Sequence, residues 1–478
     1  MTLKQETTRS FIWNFLDKVG YQAIALVVGI FTLRLLTPTD FGYTGALAVF
    51  TMLSNILVES GFTAALVRRK QNNDREYTAA LLFNILLSIA LYALLYVTAG
   101  LIADYFNMPP LTTLARVIFL AIIINSFTVV QTVILTKELQ FNKMTIANLS
   151  GMVVSAVVTL WMAAKGYGYW ALAAQQISQV LVKAILLWFL SSWRPVAIRM
   201  KDFGIIGEIL SFSALLILSS TITTIVKYIY TMFIGPRYST DEVGFYSQAY
   251  KYHQIPHMVI SSSIGGVAYS VLSKLNDEPQ RQMNYIQRIM KMTAFITLPV
   301  MLGFYGVSEN FVHVIITDKW MPLLPYLRLL LIGGISMPFI NMYLQLFNVF
   351  GKPQLNFITE FLRNMLVILF LVLMNDSITD ILYGYIAACY IAMAGMAITI
   401  AHVTGYRLTD QIRNTLPYTL LAVVMCVTVF YIPYVLHCNA ILQLVVQLLA
   451  GGAVYLGLAA LFRLEVMTNL KDTLNHKE

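Results

Sequence analysis

The sequence predicts an all-α membrane protein of about fourteen spanning helices. Three observations predict it: an apolar bulk composition, apolar stretches of spanning length, and basic residues gathered in alternate loops. The chain has 478 residues, 58% hydrophobic and 12% charged, whereas soluble domains carry about 25% charged residues. Mean hydropathy is +0.71. One aqueous core cannot hide that much apolar surface, but lipid solvates it.

A helix needs about 20 apolar residues to cross the hydrocarbon core. Such stretches fall at 10–36, 41–66, 78–100, 111–136, 143–164, 168–191, 207–234, 242–273, 283–306, 323–350, 354–374, 379–402, 414–435 and 440–462. The separators are short and polar, as at 37–40, 68–76, 165–168, 235–242 and 276–282. None is long enough to hold a soluble domain.

Loop charge sets the orientation. One set of alternate connections holds Lys4 and Arg9; Arg68, Arg69, Lys70 and Arg75; Lys137 and Lys143; Arg194, Arg199 and Lys201; Lys274 and Arg281; Lys352; Arg407 and Arg413; and Arg463, Lys471 and Lys477. The other set holds little beyond Lys165, Arg237 and Lys319. The positive-inside rule places the first set in the cytoplasm. Both termini are then cytoplasmic, which requires an even number of spans.

The chain also repeats itself. Thr39-Asp40-Phe41-Gly42-Tyr43 follows the first span and Thr240-Asp241-Glu242-Val243-Gly244-Phe245 follows the seventh. Pro110-Leu111 with Arg116 opens the fourth span, and Pro322-Leu323 with Arg328 opens the tenth at the same spacing. Two six-span lobes of parallel topology are expected, a plan that puts a substrate path between the halves. The domains are 1–200, 201–403, and an apolar helix pair with a tail over 404–478.

Several function classes fall away. In a membrane protein the net charge of +9 reflects loop orientation, so no nucleic-acid partner is implied. Cys389, Cys426 and Cys438 form no CxxC pair and no metal spacing. There is no GxxxxGK[ST] phosphate loop. His253 and His257 share a helix face, but two histidines alone make a weak metal site. They are assigned to polar lining or packing.

The chemistry sits in the spans, where a charge costs roughly 2.5–3.5 kcal/mol on insertion scales. Polar stripes recur at helical spacing: Asn14, Asp17, Lys18 and Tyr21; Asn55 and Glu59; Gln176, Gln179 and Lys183; Asn356, Glu360, Arg363 and Asn364. Intramembrane cations are Lys18, Arg34, Arg116, Lys183, Lys227, Lys251, Arg328 and Arg363, against the acids Asp17, Glu59 and Glu360. That surplus suits an anionic ligand with phosphate groups. Each residue also has a duller role. Lys18 either neutralises Asp17 or meets ligand, and Arg363 either pairs with Glu360 or does the same. Arg34, Arg116 and Arg328 either join the cavity or snorkel to headgroups. Asp17, Glu59 and Glu360 are either structural or candidate sites for a proton or sodium ion.

The basic N-terminus, Phe11-Ile12-Trp13-Asn14 entering span one, and Leu35-Leu36-Thr37-Pro38-Thr39-Asp40-Phe41-Gly42 at the first hairpin resemble the Wzx-type, WzxC-like polysaccharide flippases. These belong to the multidrug/oligosaccharidyl-lipid/polysaccharide exporter superfamily. The resemblance covers nearly the whole chain. It implies two six-helix lobes in a V with two peripheral C-terminal helices, in the bacterial inner membrane. It implies a substrate, a polyprenyl-diphosphate-linked oligosaccharide, moved to the periplasmic leaflet by alternating access without enzymatic chemistry. It also implies no cofactor beyond a possible ion gradient, and a glycan polymerase and chain-length machinery as candidate partners. Two rivals stay open. A multidrug exporter would want acidic cavity residues and twelve spans. A glycan polymerase or ligase would want larger outer loops.

Overall fold

The computed structural model describes residues 3–69, 73–275, 278–436 and 438–468. Lys70, Lys471 and Lys477 lie outside them, as do the side chains of Lys4, Arg9, Asn14 and Lys274. Every regular element among the described residues is helical. In chain order they are α1 (Leu3–Leu35), α2 (Pro38–Asn55), α3 (Gly61–Arg68), α4 (Asp74–Tyr105), α5 (Leu111–Ile118), α6 (Leu120–Lys137), α7 (Phe141–Ala164), α8 (Tyr169–Leu190), α9 (Gly204–Ile234) and α10 (Thr240–Lys274). There follow α11 (Pro279–Asn310), α12 (Leu324–Gly334), α13 (Ser336–Val349), α14 (Pro353–Leu373), α15 (Ile378–Thr404), α16 (Leu408–Val435) and α17 (Ala440–Leu461).

Among the described residues, thirteen stretches are long and apolar enough to cross a membrane. The eighth expected span falls on α10, which is 35 residues long and carries Asp241, Glu242, Tyr250, Lys251, His253, Gln254 and His257 in its first half. Pro256 and Pro299 do not end their helices; α10 and α11 run through them.

The chain groups into two compact units, Met1–Ser247 and Gln248–Glu478. In the first, α7 packs along α1 and α8, α6 packs along α4 and α8, and α9 lies along α2 and α3. Two short breaks shape it. Span two passes from α2 to α3 through a π-helical turn, Ile56–Ser60. Span four is broken at Phe119, between α5 and α6.

The hairpin motif explains its own residues. Thr37 and Asp40 form a capping box at the start of α2: Thr37 N–H donates to Asp40 Oδ2 at 2.8 Å, and Asp40 N–H donates to Thr37 Oγ1 at 3.3 Å. Such a cap contributes about 1 kcal/mol. Pro38 fills the first helical turn, where its missing N–H costs nothing. Asp40 also touches the start of α8. Gly168 there has φ +54°, and a Cβ on it would lie 2.8 Å from Asp40 Oδ1. The two repeat glycines then cross. A Cβ on Gly42 would sit 2.0 Å from the Thr240 carbonyl oxygen, and one on Gly244 would sit 2.0 Å from that of Pro38. Thr39 Oγ1 donates to Asp241 beside them. Each copy of the motif therefore seats its glycine on the other copy's backbone.

In the second unit α11 is central, flanked by α12, α16 and α17. Ile286, Met290, Phe347, Tyr418 and Met425 belong to one buried cluster. The last two helices present many apolar side chains outward, such as Val435, Leu449 and Leu461, yet they are firmly docked. Gly306 lets α16 approach, with its ideal Cβ 3.2 Å from the Cys426 carbonyl oxygen. Buried Gln447 donates to Val429 O at 2.9 Å and accepts from Asn310 at 2.9 Å. Tyr455 donates to Phe295 O at 3.0 Å.

Candidate functional site

Among the intramembrane polar stripes, α1, α7 and α8 bring one group of residues together. Asn148 of α7 donates to both carboxylate oxygens of Asp17, at 3.1 and 3.2 Å. Gln179 of α8 donates to the Tyr21 hydroxyl at 3.2 Å. Lys183 lies one turn beyond Gln179 on α8. Gly151 of α7 fixes that stretch: its ideal Cβ would lie 2.7 Å from Gln179 O and 3.4 Å from Lys183 N, so only glycine lets the two helices meet this closely. Because α7 runs alongside α1 and antiparallel to α8, these contacts put Lys183 near the level of Asp17 and Lys18. Lys18 is exposed and Lys183 half-buried. Neither makes an ion pair among the described residues. Asp17 is thus held by a neutral amide, not by Lys18. The cluster keeps two cations against one carboxylate, framed by hydroxyl and amide groups that can donate to an anion.

Lys227 on α9 is exposed with its ammonium 5.7 Å from the Tyr228 ring, and makes no ion pair among the described residues. Lys251 on α10 belongs to the second unit and is likewise exposed. Arg34 lies sixteen residues beyond Lys18 on α1, about 24 Å along its axis. It does not join the cluster.

Other cations have structural partners. Arg116 stacks over Tyr96 at 4.4 Å and donates to the Tyr96 carbonyl at 3.4 Å. Arg328 donates to Glu309 at 3.0 Å and to Ser308 at 3.2 Å, with the Tyr305 ring 5.6 Å away. Each of these repeat arginines therefore braces the span before it. Arg363 donates to Glu360 at 3.3 Å, the intrahelical pairing expected as its duller role. His253 is buried, bonded to the Tyr250 carbonyl at 3.0 Å and packed where a Cβ on Gly334 would meet its ring at 3.0 Å. His257 faces Asn341 at 3.5 Å.

Glu59 occupies the π-helical turn of span two. Asn125 Nδ2 of α6 donates to its Oε1 at 2.8 Å and to Asn55 Oδ1 at 3.3 Å. Neither Asn125 nor Asn148 was singled out from the sequence. A carboxamide within an apolar span is itself a signal, but its partner lies 66 or 131 residues away.

With this geometry in view, comparison with known proteins is informative. A family model described as "Polysaccharide biosynthesis protein" matches residues 32–325. The chain belongs to this family. The teichuronic acid biosynthesis protein TuaB of Bacillus subtilis (strain 168) is 26% identical over 69% of this chain and 68% of its own length. The lipopolysaccharide biosynthesis protein WzxC of Escherichia coli (strain K12) is 24% identical over 70% and 68%. Among solved structures, the lipid II flippase MurJ in an inward closed conformation superposes with a TM-score of 0.73 at 15% identity, over 95% of this chain and all of that one. An inward-facing multidrug resistance MATE transporter gives 0.60 at 17% identity over 80% and 96%. The fold is that of the multidrug/oligosaccharidyl-lipid/polysaccharide superfamily, in a multi-pass membrane protein.

Proposed function

We propose that this member of the polysaccharide biosynthesis family carries a polyprenyl-diphosphate-linked oligosaccharide from the cytoplasmic to the periplasmic leaflet of a bacterial inner membrane. The termini are cytoplasmic, and the duplicated lobes work by alternating access. The observation that carries this reading is the pair of unpaired lysines, Lys18 and Lys183, set among Tyr21, Gln179 and Asn148 inside one lobe. Holding an uncompensated cation within a span costs free energy. A diphosphate offsets that cost and takes hydrogen bonds from the neutral donors beside it. Lys227 and Lys251 are further contacts for the anionic carrier along its route. The names of TuaB, WzxC and the succinoglycan transport protein ExoT of Rhizobium meliloti, 23% identical, place related chains in surface-glycan synthesis. A glycan polymerase and chain-length machinery are natural recipients of the flipped product, and a proton or sodium gradient is the natural driving force.

The test is export of surface glycan from cells whose only copy carries the substitutions. Lys18→Ala with Lys183→Ala, and separately Lys227→Ala with Lys251→Ala, should abolish export while the protein remains in the membrane. Normal export in both double mutants overturns the proposal.

A further inference from the structure

The basic end of the first unit holds a cation that no acid balances. Lys137 closes α6 and is half-buried. Its ammonium stands 6.0 Å from the Tyr77 ring, at the outer limit of a cation–π contact. Its charged neighbours are Arg69 and Glu76. Arg69 already pairs with Glu76 at 3.3 Å and with Glu208 at 3.0 Å. Glu76 also accepts from Asn73 N–H at 2.9 Å, as part of the capping box of α4. Lys137 itself makes no ion pair among the described residues, and Glu138 beside it in sequence is exposed.

The chain after α8 closes the other side of this corner. Val196 N–H donates to Thr78 Oγ1 at 3.0 Å, which ties the segment to the first turns of α4. Trp193 packs edge-on against Tyr77, with ring centroids 6.0 Å apart and planes at 70°. Arg194 folds back on the segment and donates to the Ser191 and Trp193 carbonyls, both at 2.7 Å. Two donors are left over. Trp193 is 9% exposed and Ser191 2%. Neither the indole N–H nor the Ser191 hydroxyl has a hydrogen-bond partner among the described residues. Buried donors without an acceptor are costly.

The repeat expected from the sequence supplies a comparison. The span that closes each half is followed by an aromatic residue and an arginine: Trp193-Arg194 after α8 and Tyr406-Arg407 after α15. In the second unit the polar group of the aromatic residue is satisfied, because Asn414 Nδ2 donates to the Tyr406 hydroxyl at 2.6 Å. The second copy is thus finished by its own side chains. The first copy lacks an acceptor that its own chain does not supply.

We propose that this corner binds the phosphate of an acidic phospholipid headgroup. Lys137 supplies the unbalanced charge, and a phosphate oxygen with an internal water supplies the acceptors for Trp193 and Ser191. The level fits, since Lys137, Tyr77 and Trp193 all stand at span ends, where headgroups lie. Basic pockets between helices at that level take such headgroups. The flank fits acyl chains: Phe189, two residues before Ser191, is 79% exposed, and Leu86 on α4 is 61% exposed. Free inorganic phosphate offers the same oxygens but gains nothing from that apolar flank. The site shares no residue with the Lys18–Lys183 cluster and does not depend on the transported substrate.

Native mass spectrometry of the full chain, titrated with phosphatidylglycerol, phosphatidylcholine or inorganic phosphate, tests the site. The first phosphatidylglycerol should bind more tightly than phosphatidylcholine, and inorganic phosphate should not displace it. Lys137→Gln should weaken that first binding at least tenfold, the worth of one charge-assisted hydrogen bond, and Lys137→Arg should retain it. Trp193→Phe keeps the ring and removes the donor. It should weaken the binding several-fold, and it decides the matter if Lys137→Gln does not fold. Wild-type affinity in either variant overturns the proposal. So does equal affinity for phosphatidylcholine. Displacement by inorganic phosphate overturns a lipid as the source of the anion.

Discussion

Replacing Gly42 with alanine tests the crossing of the two repeat motifs. The added Cβ would lie 2.0 Å from Thr240 O, 2.8 Å from Thr240 Cγ2 and 2.9 Å from Thr240 C. Two of these three atoms are backbone, so no side chain can swing away. Restoring a contact of about 3 Å requires α2 and α10 to part locally by about 1 Å. Overpacking of this kind costs about 1–3 kcal/mol. The same displacement strains the Thr39–Asp241 hydrogen bond, and a bond to a charged group contributes about 1.5–3 kcal/mol. The total is about 2.5–6 kcal/mol. In units of this size each kcal/mol lowers Tm by about 2–4 °C, so a fall of about 5–24 °C is expected in thermal unfolding of the purified protein. Gly244→Ala should behave alike, since its Cβ would lie 2.0 Å from Pro38 O. Gly100, with nothing within 4 Å, is the control, and Gly100→Ala should leave Tm unchanged. A Gly42→Ala protein as stable as the Gly100 variant would refute the crossing.

Other expectations follow from particular contacts. Losing either Lys18 or Lys183 singly should weaken binding of a lipid diphosphate about 10- to 150-fold, the worth of one charge-assisted hydrogen bond, in a binding assay with a short-chain analogue. Gln411 is buried and joins Tyr343, Ala397 and Tyr406 through three hydrogen bonds. Gln411→Leu should therefore destabilise the second unit by about 2–4 kcal/mol, read as a lower Tm. Tyr406 lies in the connection before α16, where burial, opposed by the Asn414 hydrogen bond and aided by Asp410, pushes its phenol up to about 12. The neutral phenol stabilises the fold fully below pH 10, and that contribution is lost as pH rises from 10 to 12. Tyr406→Phe should flatten this part of the alkaline Tm profile; an unaltered profile would rule out the assignment.

The architecture was legible because lipid imposes length and composition on every span. The hairpin motif was legible too, since a capping box and a glycine announce a local event. The candidate site was legible only in part. Lys18 and Lys183 stood out as costly charges, but nothing local says that Gly151 and Gln179 bring α8 against α7. Arg116 and Arg328 looked equally costly, and tertiary packing gave them Tyr96 and Glu309 instead. Which carboxamide meets which acid is decided between elements far apart in sequence, where periodicity carries no information.

The docking of α16 and α17 bears on how the protein is made. These helices are the last of the seventeen to leave the ribosome. Until they insert, Gly303 and Gly306 on α11 face lipid, and Asn310 lacks the Gln447 acceptor that later meets it. The second unit is thus completed only once both helices have inserted. A chain cut before α16 would leave a polar, glycine-lined scar in the bilayer, an exposed flaw of the kind that membrane quality control can recognise.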